Sequence, residues 1–443
     1  MRTRSEINST EWFGHIPNGW EMRPIKALFR FSKGLSITKA DLSECGAPVI
    51  SYGQIHSKDY DGTGITESLI RYVPKSIAQS SNSSYVKHGG FIFADTSEDL
   101  AGVGNCAYND GNEDLFGGYH TIVANPLLSS ENKYFAYLFR TDAWRKQLRK
   151  QLVDVKLFSV NQSILGESYV AVPPLDVQRS IVAFLDSRCK PINEAIARHR
   201  IIIDKLEDYR KAVITKTVTK GLNDNIPMKD VGIGRVKNMP ANWSVTKVKF
   251  IAKVIPGATP KSTISAFWNG DIPFVTPADY ITEDHYIEHW ARTITEEGMN
   301  SCSTSVLPPN SVIVSNRAPI GLVAINKVPV CTNQGCKGLV VKSREYSPEY
   351  LYRLLSVADD ALNALGNGTT YQELSGKALS DFVIQKPPLD VQRSIVAFLD
   401  SQCESINKAI ASHRVIIDKL EEYRRGLIFH AVTGRIDCTG GAR

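Results

Sequence analysis

Two stretches of the chain share a pattern in which mostly apolar residues recur at alternating steps of four and three. In the first stretch the positions are Leu185, Cys189, Ile192, Ile196, His199, Ile203, Leu206, Arg210 and Val213. In the second stretch they are Leu399, Cys403, Ile406, Ile410, His413, Ile417, Leu420, Arg424 and Leu427. Such steps place residues along one stripe of an α-helix and form a heptad seam. The pattern therefore predicts two long helices, each with a stripe that needs an apolar partner.

The two helical stretches are copies of one another. The run from Pro173 to Ser187 recurs without change from Pro387 to Ser401, 214 residues later. Residues 173–212 and 387–426 are identical at 31 of 40 positions. This period is far too long for a solenoid repeat. We therefore expect two large modules, each ending in the same helix.

Prolines define the expected helix boundaries. Pro173 and Pro174 cannot lie inside a helix, and Asp176 is a suitable N-terminal cap. Pro191 predicts a break that divides the first helix into a short and a long segment, whereas Ser405 at the matching place imposes none. The long segment, near 190–218, would extend about 40 Å at ~1.5 Å per residue.

The two matching stripes favour packing of the helices on each other as a coiled coil. The alternative is that each helix packs only on its own module, but the sustained heptad favours the first arrangement. His199 and His413 fall on the seam. A histidine there is more often a packed polar residue that fixes register than a metal ligand, and we interpret both in that way.

The stretch before each helix is predicted to be rich in strands. Short apolar runs bounded by Gly, Pro or Asn predict strands. Examples lie at 90–94, 121–124, 311–314, 321–325 and 338–341. Shorter helices are predicted at 133–151 and 348–365.

The openings of the two modules correspond only weakly. Trp20 matches Trp243, Lys26 matches Lys249 and Gly34 matches Gly257, after which the sequences diverge. The two modules are therefore expected to bind different features, although the helices offer the same surface twice. A pseudo-two-fold body with two different binding modules suits a long ligand with approximate two-fold symmetry, and duplex DNA is such a ligand.

Composition and charge narrow the function classes. The net charge of +6 permits an acidic partner without requiring one. No apolar run approaches the length of a membrane span, and the start lacks the apolar region of a signal peptide, so we expect a cytoplasmic protein. The eight cysteines have neither zinc nor redox spacing and are predicted to be free thiols.

Catalytic motifs are missing from the sequence. It contains no Asn/Asp-Pro-Pro-aromatic loop, no complete nucleotide-binding fingerprint or phosphate loop, and no His-Glu-x-x-His. Together these absences favour a binding protein. We therefore expect no catalytic and no metal-binding residue in this chain.

The order of modules and helices resembles the specificity subunit of a type I restriction–modification enzyme. The repeated Pro-Pro-Leu-Asp-Val-Gln start, followed by Ile-Val-Ala-Phe-Leu-Asp, is similar to the conserved regions of that family, although members commonly have Glu where this chain has Val177 and Val391. The second module resembles the family's target-recognition domains through the runs 257–260, 268–275, 316–321, 332–335 and 366–370. The first resembles a different variant through 52–54, 89–93, 96–97 and 118–120.

The resemblance implies an α+β fold in which an antiparallel coiled coil of two conserved helices holds two strand-rich target-recognition domains apart. The expected ranges are 1–172 for the first domain, 173–220 for the central helical region, 221–238 for a polar linker, 239–386 for the second domain, 387–434 for the distal helical region and 435–443 for a tail. Each domain would read one half of a bipartite, asymmetric site in double-stranded DNA. A helix pair of about 40 Å corresponds to on the order of 12 base pairs, so several unread base pairs are expected between the half-sites.

The resemblance also implies protein partners and assigns the cofactors to them. Two modification (methyltransferase) subunits would dock on the helices, and restriction subunits would join them. S-adenosylmethionine would be held by the modification subunits, and ATP and magnesium by the restriction subunits, so no cofactor is expected in this chain. The repeated helix starts are the predicted docking sites, through Asp176, Gln178, Asp390 and Gln392. The alternative is that these residues only cap the helices.

DNA contacts should come from basic side chains at phosphates and from polar side chains at base edges. The segment 140–156, with Trp144 and Leu148 turned inward, is predicted to contact phosphates; the alternative is a solvated surface. Its candidate residues are Arg145, Lys146, Arg149, Lys150 and Lys156. Polar turns of the first module offer Gln54, His56, Lys58, Thr96, Ser97 and His120 for base readout. Those of the second offer Thr276, Asp279, Tyr280, Arg317, Asn333, Gln334, Thr369 and Tyr371. Turns favour the same residue types for local reasons, so part of this set is expected to serve structure instead.

Three other functions remain open at this point. A specificity subunit of a related type II enzyme that cuts on both sides of its site would have the same layout. A coiled-coil scaffold that does not bind DNA would lack salt-dependent affinity for duplexes. A nuclease active by itself would cut DNA with magnesium and no partner.

Overall fold

The chain folds into two units, each of which combines one globular module with parts of both long helices. The computed structural model describes residues 11–57, 60, 62–79, 81–111, 114–152, 158–233, 236–280, 285–317, 319–366 and 372–440. Unit 1 contains Met1–Arg198 and Ile416–Arg443, and unit 2 contains His199–Val415. Unit 1 therefore joins segments from opposite ends of the sequence.

The module of unit 1 is made of short strands. They are β1 (Glu21–Pro24), β2 (Phe29–Lys33), β3 (Ala47–Ile50), β4 (Arg71–Val73), β5 (Phe91–Ala94), β6 (Thr96–Ser97), β7 (Cys106–Tyr108), β8 (Phe116–Gly117), β9 (Thr121–Pro126), β10 (Phe158–Ser159) and β11 (Tyr169–Val172). An antiparallel sheet has the order β2–β9–β5–β7, and a second sheet has the order β4–β3–β8, in which β3 and β8 are parallel. Every residue of β5 is buried, as expected for a strand covered on both faces.

The helices of unit 1 lie between and after its strands. They are α1 (Tyr52–Ile55), α2 (Lys75–Gln79), α3 (Asn132–Leu138), α4 (Asp142–Arg149), α5 (Gln162–Glu167) and α6 (Leu175–Lys220), and α6 continues into unit 2. The helix predicted over 133–151 is divided into α3 and α4 by a tight turn, where the Thr141 hydroxyl donates to the Leu138 carbonyl at 2.7 Å. This turn directs both Phe139 and Trp144 into the core, with their rings 4.5 Å apart.

Unit 2 has strands of similar length. They are β12 (Met228–Ile233), β13 (Val236–Pro240), β14 (Ser244–Lys247), β15 (Ala252–Pro256), β16 (Trp268–Val275), β17 (Tyr286–Ile287), β18 (Arg292–Ile294), β19 (Val312–Asn316), β20 (Ile320–Asn326), β21 (Cys331–Thr332), β22 (Cys336–Val341) and β23 (Val383–Lys386). Its helices are α7 (Val248–Ile251), α8 (Glu296–Asn300), α9 (Pro348–Leu355), α10 (Asp359–Asn363), α11 (Gly376–Asp381) and α12 (Leu389–Val432), and α12 continues into unit 1. The predicted helix over 348–365 is therefore two helices, whereas the five strands predicted in the two modules are confirmed.

The two modules have the same topology although their sequences diverge. The sheet β15–β22–β19–β20 of unit 2 repeats the order β2–β9–β5–β7 of unit 1 and adds β17 at its edge. The sheet β18–β16–β21 repeats β4–β3–β8, including the parallel pair β16–β21. In both units a two-stranded antiparallel sheet, β1–β11 or β14–β23, pairs the start of the module with the strand before a long helix. The repeat thus extends to the modules, and the predicted α+β class is confirmed.

The two long helices pack along the expected stripe within each unit. In unit 1, Leu185, Ile192 and Ile196 are buried with Leu427 and Ile428, and Ile417 and Leu420 pack against the same cluster. In unit 2, Leu399, Ile406 and Ile410 are buried, whereas Ile203, Leu206, His199 and His413 are half-buried.

Polar contacts fix the register of the helix pair in unit 2. His199 Nδ1 lies 2.7 Å from His413 Nδ1, and Arg210 donates to Asn407 Oδ1 at 2.7 Å. Because the partner number falls as the residue number rises, the helices run antiparallel. In the sequence repeat His413 is the counterpart of His199, so this pair joins a residue to its own copy.

The break predicted at Pro191 is wrong. Helix α6 is continuous from Leu175 to Lys220 with Pro191 inside it. A proline removes one backbone donor and costs roughly 3 kcal/mol within a helix. Burial of Ile192 and Ile196 directly after it offsets this cost, since a fully buried isoleucine contributes about 1.5–3 kcal/mol.

The linker predicted at 221–238 is not a plain linker. It contains β12 and part of β13, which pair as an antiparallel hairpin. Val236 is 1% exposed and Met239 is 2% exposed, and both belong to the core of unit 2. The polar composition of this segment reflects the exposed face of the hairpin.

Each module is anchored at the start of one long helix and the end of the other. In unit 1 the Tyr134 hydroxyl lies 2.8 Å from the carbonyl of Ala171, before α6, and 3.1 Å from that of Val432, at the end of α12. In unit 2 the Tyr350 hydroxyl donates at 2.9 Å to the carbonyl of Val218, near the end of α6. Buried tyrosines need such partners for their hydroxyl groups.

Candidate nucleic-acid interface

In unit 1 the predicted base-reading residues gather at one edge of the module, formed by the turns after β3, β5 and β8. We call it the turn edge of unit 1. The parallel strands β3 and β8 end together there, and the Gly118 amide donates to the Ile50 carbonyl at 2.7 Å. The sequence-predicted residues in these turns are Gln54, His56, Thr96, Ser97 and His120; Lys58 lies outside the described residues.

His56 connects two of these turns. Its Nδ1 lies 3.1 Å from the Asn105 side-chain amide, and its Nε2 lies 2.9 Å from the Thr96 carbonyl. A carbonyl can only accept, so Nε2 carries the hydrogen and Nδ1 accepts from Asn105. Both ring nitrogens are thus used inside the protein, and His56 braces the turn edge of unit 1.

The neighbouring polar side chains also make local bonds. Gln54 Oε1 accepts from the Ser51 amide at 3.1 Å and closes the start of α1. The Thr96 hydroxyl donates to Asp95 at 2.7 Å. Ser97 is buried and donates to the Asp99 carbonyl at 2.7 Å, so the expected base contact by Ser97 is wrong.

His120 is the exposed member of this set. Its side chain is 59% exposed, and its Nδ1 lies 3.4 Å from Asp95 Oδ1. Its ring packs edge-on against Tyr52, with the centroids 5.3 Å apart, and lies beside Tyr119. Tyr52, Tyr119 and Asp95 were not predicted as site residues, although both tyrosines fall within runs that supported the resemblance.

The basic segment that contains α4 is only partly free. Arg145 donates to the carbonyls of Phe139 at 2.9 Å and Ala101 at 3.1 Å, and burial lowers the pKa of its guanidinium to about 10. Arg149 pairs with Asp142 at 2.9 Å. Arg145 therefore braces the loop before β7 and is not a free phosphate ligand, which corrects that expectation.

Two further lysines of this segment remain accessible. Lys146 and Lys150 are both exposed. Lys150 also pairs with Glu11 at 2.7 Å and lies over the ring of Trp12. Lys156 lies outside the described residues. Trp144 and Leu148 are fully buried, as predicted for the inner face.

An electropositive cavity of about 800 Å³ adjoins the turn edge of unit 1. It lies between the module and the last part of α12, and Ser57 and Asn105 form its wall nearest His56. Its cationic residues are Arg140, Arg145, Lys146, Arg149, Arg424 and Arg425, and its acidic residues are Glu11, Asp142 and Glu422. A concave surface with this excess of cations favours an anionic ligand.

The module of unit 2 has a turn edge at the equivalent position of its topology, formed by the turns after β16, β19 and β21. The Asn333 amide donates to the Val275 carbonyl at 3.1 Å, which joins the ends of the parallel strands. Asn333 Oδ1 accepts from the Gly335 amide at 3.0 Å, and Asp279 accepts from the Thr276 hydroxyl at 2.8 Å. Residues accessible at this turn edge are the exposed Gln334, which accepts from Thr259, and the half-buried Arg317. Thr369 and Tyr371 lie outside the described residues.

Tyr280 is a core residue, which corrects its assignment as a base contact. It is 8% exposed, and its hydroxyl lies 2.9 Å from Cys336 Sγ. Burial raises the pKa of Tyr280 well above its usual value and that of Cys336 to about 12. The hydroxyl therefore has no access to a ligand.

The two turn edges are built alike from different side chains. The Asp95 amide donates to the His120 carbonyl at 3.1 Å, and the Asn316 amide donates to the Gly335 carbonyl at 2.9 Å. A Cβ at Gly34 would lie 2.1 Å from the Gly118 oxygen, and one at Gly257 would lie 2.0 Å from the Asn333 oxygen. This close approach explains why both modules have glycine at this position, although their sequences otherwise correspond only weakly.

The predicted docking residues divide into two groups. Gln178 is buried; it accepts from the Glu131 amide at 3.1 Å and donates to the Pro173 carbonyl at 2.8 Å. Gln392 is fully buried, and its amide group makes the corresponding contacts with Ser347, Glu345 and Pro387. The docking role expected for both glutamines is wrong because their polar atoms are used inside the units. Asp176 and Asp390 are exposed in the first turns of α6 and α12.

A second repeated surface was not predicted. Ile202 and Tyr209 on α6, in unit 2, are 38% and 54% exposed. Their copies Ile416 and Tyr423 on α12, in unit 1, are 39% and 61% exposed. Residues seven apart share a helix face, so each unit carries one exposed apolar face of the same composition. The sequence repeat contains these four residues, but the heptad pattern identifies only the residues of the seam.

The described part of the chain contains neither a metal-binding cluster nor a membrane-spanning helix. No group of three or more His, Cys, Asp or Glu side chains is arranged there to hold a metal ion. Nor is any helix among those residues both long and apolar enough to cross a lipid bilayer.

Comparison with known proteins gives similarity along most of the chain. The family described as "Type I restriction modification DNA specificity domain" matches residues 17–202 and 240–421. The chain is 37% identical over 174 residues to the "Type I restriction enzyme MjaIX specificity subunit" of Methanocaldococcus jannaschii, an alignment covering 39% of each chain. It is 24% identical over 434 residues to the "Putative type I restriction enzyme MjaX specificity subunit" of the same organism, which covers 96% of this chain and 95% of the relative.

The fold is also similar to a solved structure. A chain from a study of "complex assembly and conformational transition of the type I R-M system" superposes with a TM-score of 0.68 at 18% identity. The superposition covers 95% of this chain and 100% of that chain.

Proposed function

Because the chain belongs to the type I restriction modification DNA specificity family, we propose that it reads a bipartite, asymmetric site in double-stranded DNA with one module for each half-site. Its role is sequence specificity in a type I system. Our proposal extends to the division of the site between the two modules and to the partners that act on the bound DNA.

The two turn edges support this division of the site. They have the same backbone arrangement, so each presents polar turns at the ends of a parallel strand pair. Their side chains differ, with His120 at one edge and the exposed Gln334 at the other. Base edges are distinguished by the donors and acceptors that a protein presents, so equivalent scaffolds with different side chains read different bases.

The electropositive cavity of unit 1 supports a phosphate contact beside this half-site. Among the residues that line it, six are cationic and three are acidic, and Lys146 is exposed. The cavity of about 1120 Å³ in unit 2 is lined by five acidic and five basic residues and is therefore balanced. We accordingly assign the stronger phosphate contact to unit 1.

Partner docking is supported by the exposed apolar face that each unit carries. Ile202 with Tyr209 and Ile416 with Tyr423 offer the same surface twice, and exposed apolar faces on helices commonly mark protein interfaces. Two copies of one surface suit two copies of one partner, the modification subunit. Restriction subunits would then join this complex.

The chemistry belongs to these partners in our proposal. Methyl transfer from S-adenosylmethionine would take place on the modification subunits, and ATP- and magnesium-dependent cleavage on the restriction subunits. This chain would contribute recognition and spacing and would hold no cofactor.

Mapping of methylated positions tests the proposal. Cells that produce this chain with its modification subunits should carry methylation at an asymmetric sequence with two defined parts and an unread spacer. Exchange of the module at 239–386 for that of a relative should change one part only. A palindromic motif, or a motif unaffected by the exchange, would contradict the division between modules.

A duplex of random sequence tests for DNA binding itself. Affinity should fall steeply as salt rises, because phosphate contacts release counterions. A coiled-coil scaffold without a DNA surface would show no such dependence.

A further inference from the structure

His120 is one of the few described residues other than glycine in the left-handed backbone region. Its φ is 54°, and the others among the described residues are Asn269 and Asn310. A residue other than glycine is uncommon in this region, although Asn, Asp and His occur there more often than the rest. A residue held in such a conformation at a turn is a candidate for a functional role.

The backbone at His120 is held by its neighbours. Its carbonyl accepts from the Asp95 amide at 3.1 Å, and the Tyr119 carbonyl lies 3.4 Å from the Tyr52 amide. A Cβ at the preceding Gly118 would lie 2.1 Å from the Ser51 hydroxyl, so the turn is also tightly packed. These contacts fix the direction in which the side chain of His120 leaves the backbone.

The imidazole is presented to solvent in one orientation. The side chain is 59% exposed, with Nδ1 3.4 Å from Asp95 Oδ1 and the ring against Tyr52 at a centroid distance of 5.3 Å. With Nδ1 directed at a carboxylate, Nε2 is the ring atom left for an external partner. A side chain oriented by its neighbours loses less entropy when it binds.

Unit 2 has no side chain at the equivalent position. Gly335 occupies the place of His120, since its carbonyl accepts from the Asn316 amide as that of His120 accepts from Asp95. The fold of the turn edge therefore does not require a histidine there. Its presence in unit 1 distinguishes the two turn edges.

We propose that His120 is a specificity-determining residue of unit 1, which contacts a base edge through Nε2 and is positioned by Asp95 and Tyr52. This inference rests on the proposed function, since it assumes that the turn edge of unit 1 faces DNA. His120 discriminates one base pair of the half-site that unit 1 reads.

The variant His120→Gly separates this role from a structural one. Glycine adopts the left-handed region without strain, so the variant should melt at the same or a higher temperature than the wild type. The full-length chain is assembled with modification subunits and incubated with a pool of DNA duplexes whose central base pairs are random. The bound duplexes are then sequenced. The variant should lose on the order of ten- to a hundred-fold of its preference at one base pair of one half-site. The other half-site should keep its sequence.

Asn310→Gly is the matched control. Asn310 has a φ of 64° and lies before β19, at the opposite end of that strand from the turn edge of unit 2. Its replacement relieves the same backbone strain and should leave both half-sites unchanged.

Three outcomes would overturn the inference. If the His120→Gly variant selects the same sequence as the wild type, His120 has no role in specificity. A lower melting temperature with equal loss at both half-sites shows a structural role instead. A wild-type complex that selects no bipartite sequence overturns the proposed function, and this inference with it.

Discussion

At the scale of single residues, buried polar side chains connect the modules to the long helices. Gln178 and Gln392 each lie at the first turn of a long helix and bond to backbone groups of the module beside it. Removing one partner of a buried hydrogen bond leaves an unsatisfied group and costs about 1–3 kcal/mol. These glutamines therefore join the first turn of each long helix to the module beside it.

Gln178→Ala should destabilise the protein by about 1–3 kcal/mol, because the Glu131 amide and the Pro173 carbonyl lose their partner. Thermal or denaturant unfolding measures the change. Asp176→Ala, two residues earlier and exposed, is the control and should cost less than about 1 kcal/mol. Equal losses for the two variants would contradict the assignment of Gln178 to the structure.

At the scale of elements, repeated contacts determine how the long helices pair. In unit 2 Arg210 bonds to Asn407, and in unit 1 Arg424 bonds to Asn193. Asn193 and Arg424 are the counterparts of Asn407 and Arg210 in the sequence repeat, so the same contact is made once in each unit. A polar residue on a helix seam allows one register and disfavours others. Together with the pair His199–His413, they select the antiparallel register.

Pro191→Ser should stabilise the protein by about 1–3 kcal/mol, since it restores a backbone donor within α6 and gives this position the residue of the second copy. Calorimetry measures the change in melting temperature. The reverse change in α12, Ser405→Pro, should destabilise by at least a similar amount. If Pro191→Ser lowered the melting temperature, the proline would be required for the path of α6.

At the scale of the whole molecule, the duplication has left the helices alike and the modules different. The helices have kept their sequence, so any surface on them exists twice. The modules have kept their topology but not their sequence, so their turn edges differ. This combination agrees with our proposal of two identical partners and one asymmetric ligand.

Ile202→Glu with Tyr209→Glu should remove one modification subunit from the complex, because charges replace the apolar face. The same pair of changes at Ile416 and Tyr423 should remove the other, and all four together should remove both. Light scattering of the purified complex measures the subunit ratio.

The control for this experiment is Asp204→Ala with Asp418→Ala. Both residues are exposed, and at about 100° per residue they lie on the opposite side of each helix from the apolar face. The control should keep both modification subunits. Full assembly of the fourfold variant would instead place docking elsewhere, for example at Asp176 and Asp390.

The sequence by itself determined those features of the fold that depend on the local spacing of apolar residues. The long helices, their seam and the five predicted strands follow from spacing of apolar residues within one segment, and the structure has them. At Pro191 the same local rule was wrong, because burial of Ile192 and Ile196 outweighs the loss of one hydrogen bond. Local patterns cannot weigh such long-range burial.

Of the candidate site, the sequence determined the turns but not the role of each side chain. His56, Thr96 and His120 do come together at one edge, yet only contacts between distant segments show that His56 is a brace and that His120 is exposed. Likewise Tyr280 and Gln178 could be placed in the interior only once their neighbours were known. The shared topology of the two modules also emerged only from strand pairing, because backbone hydrogen bonds preserve an arrangement after the side chains have diverged.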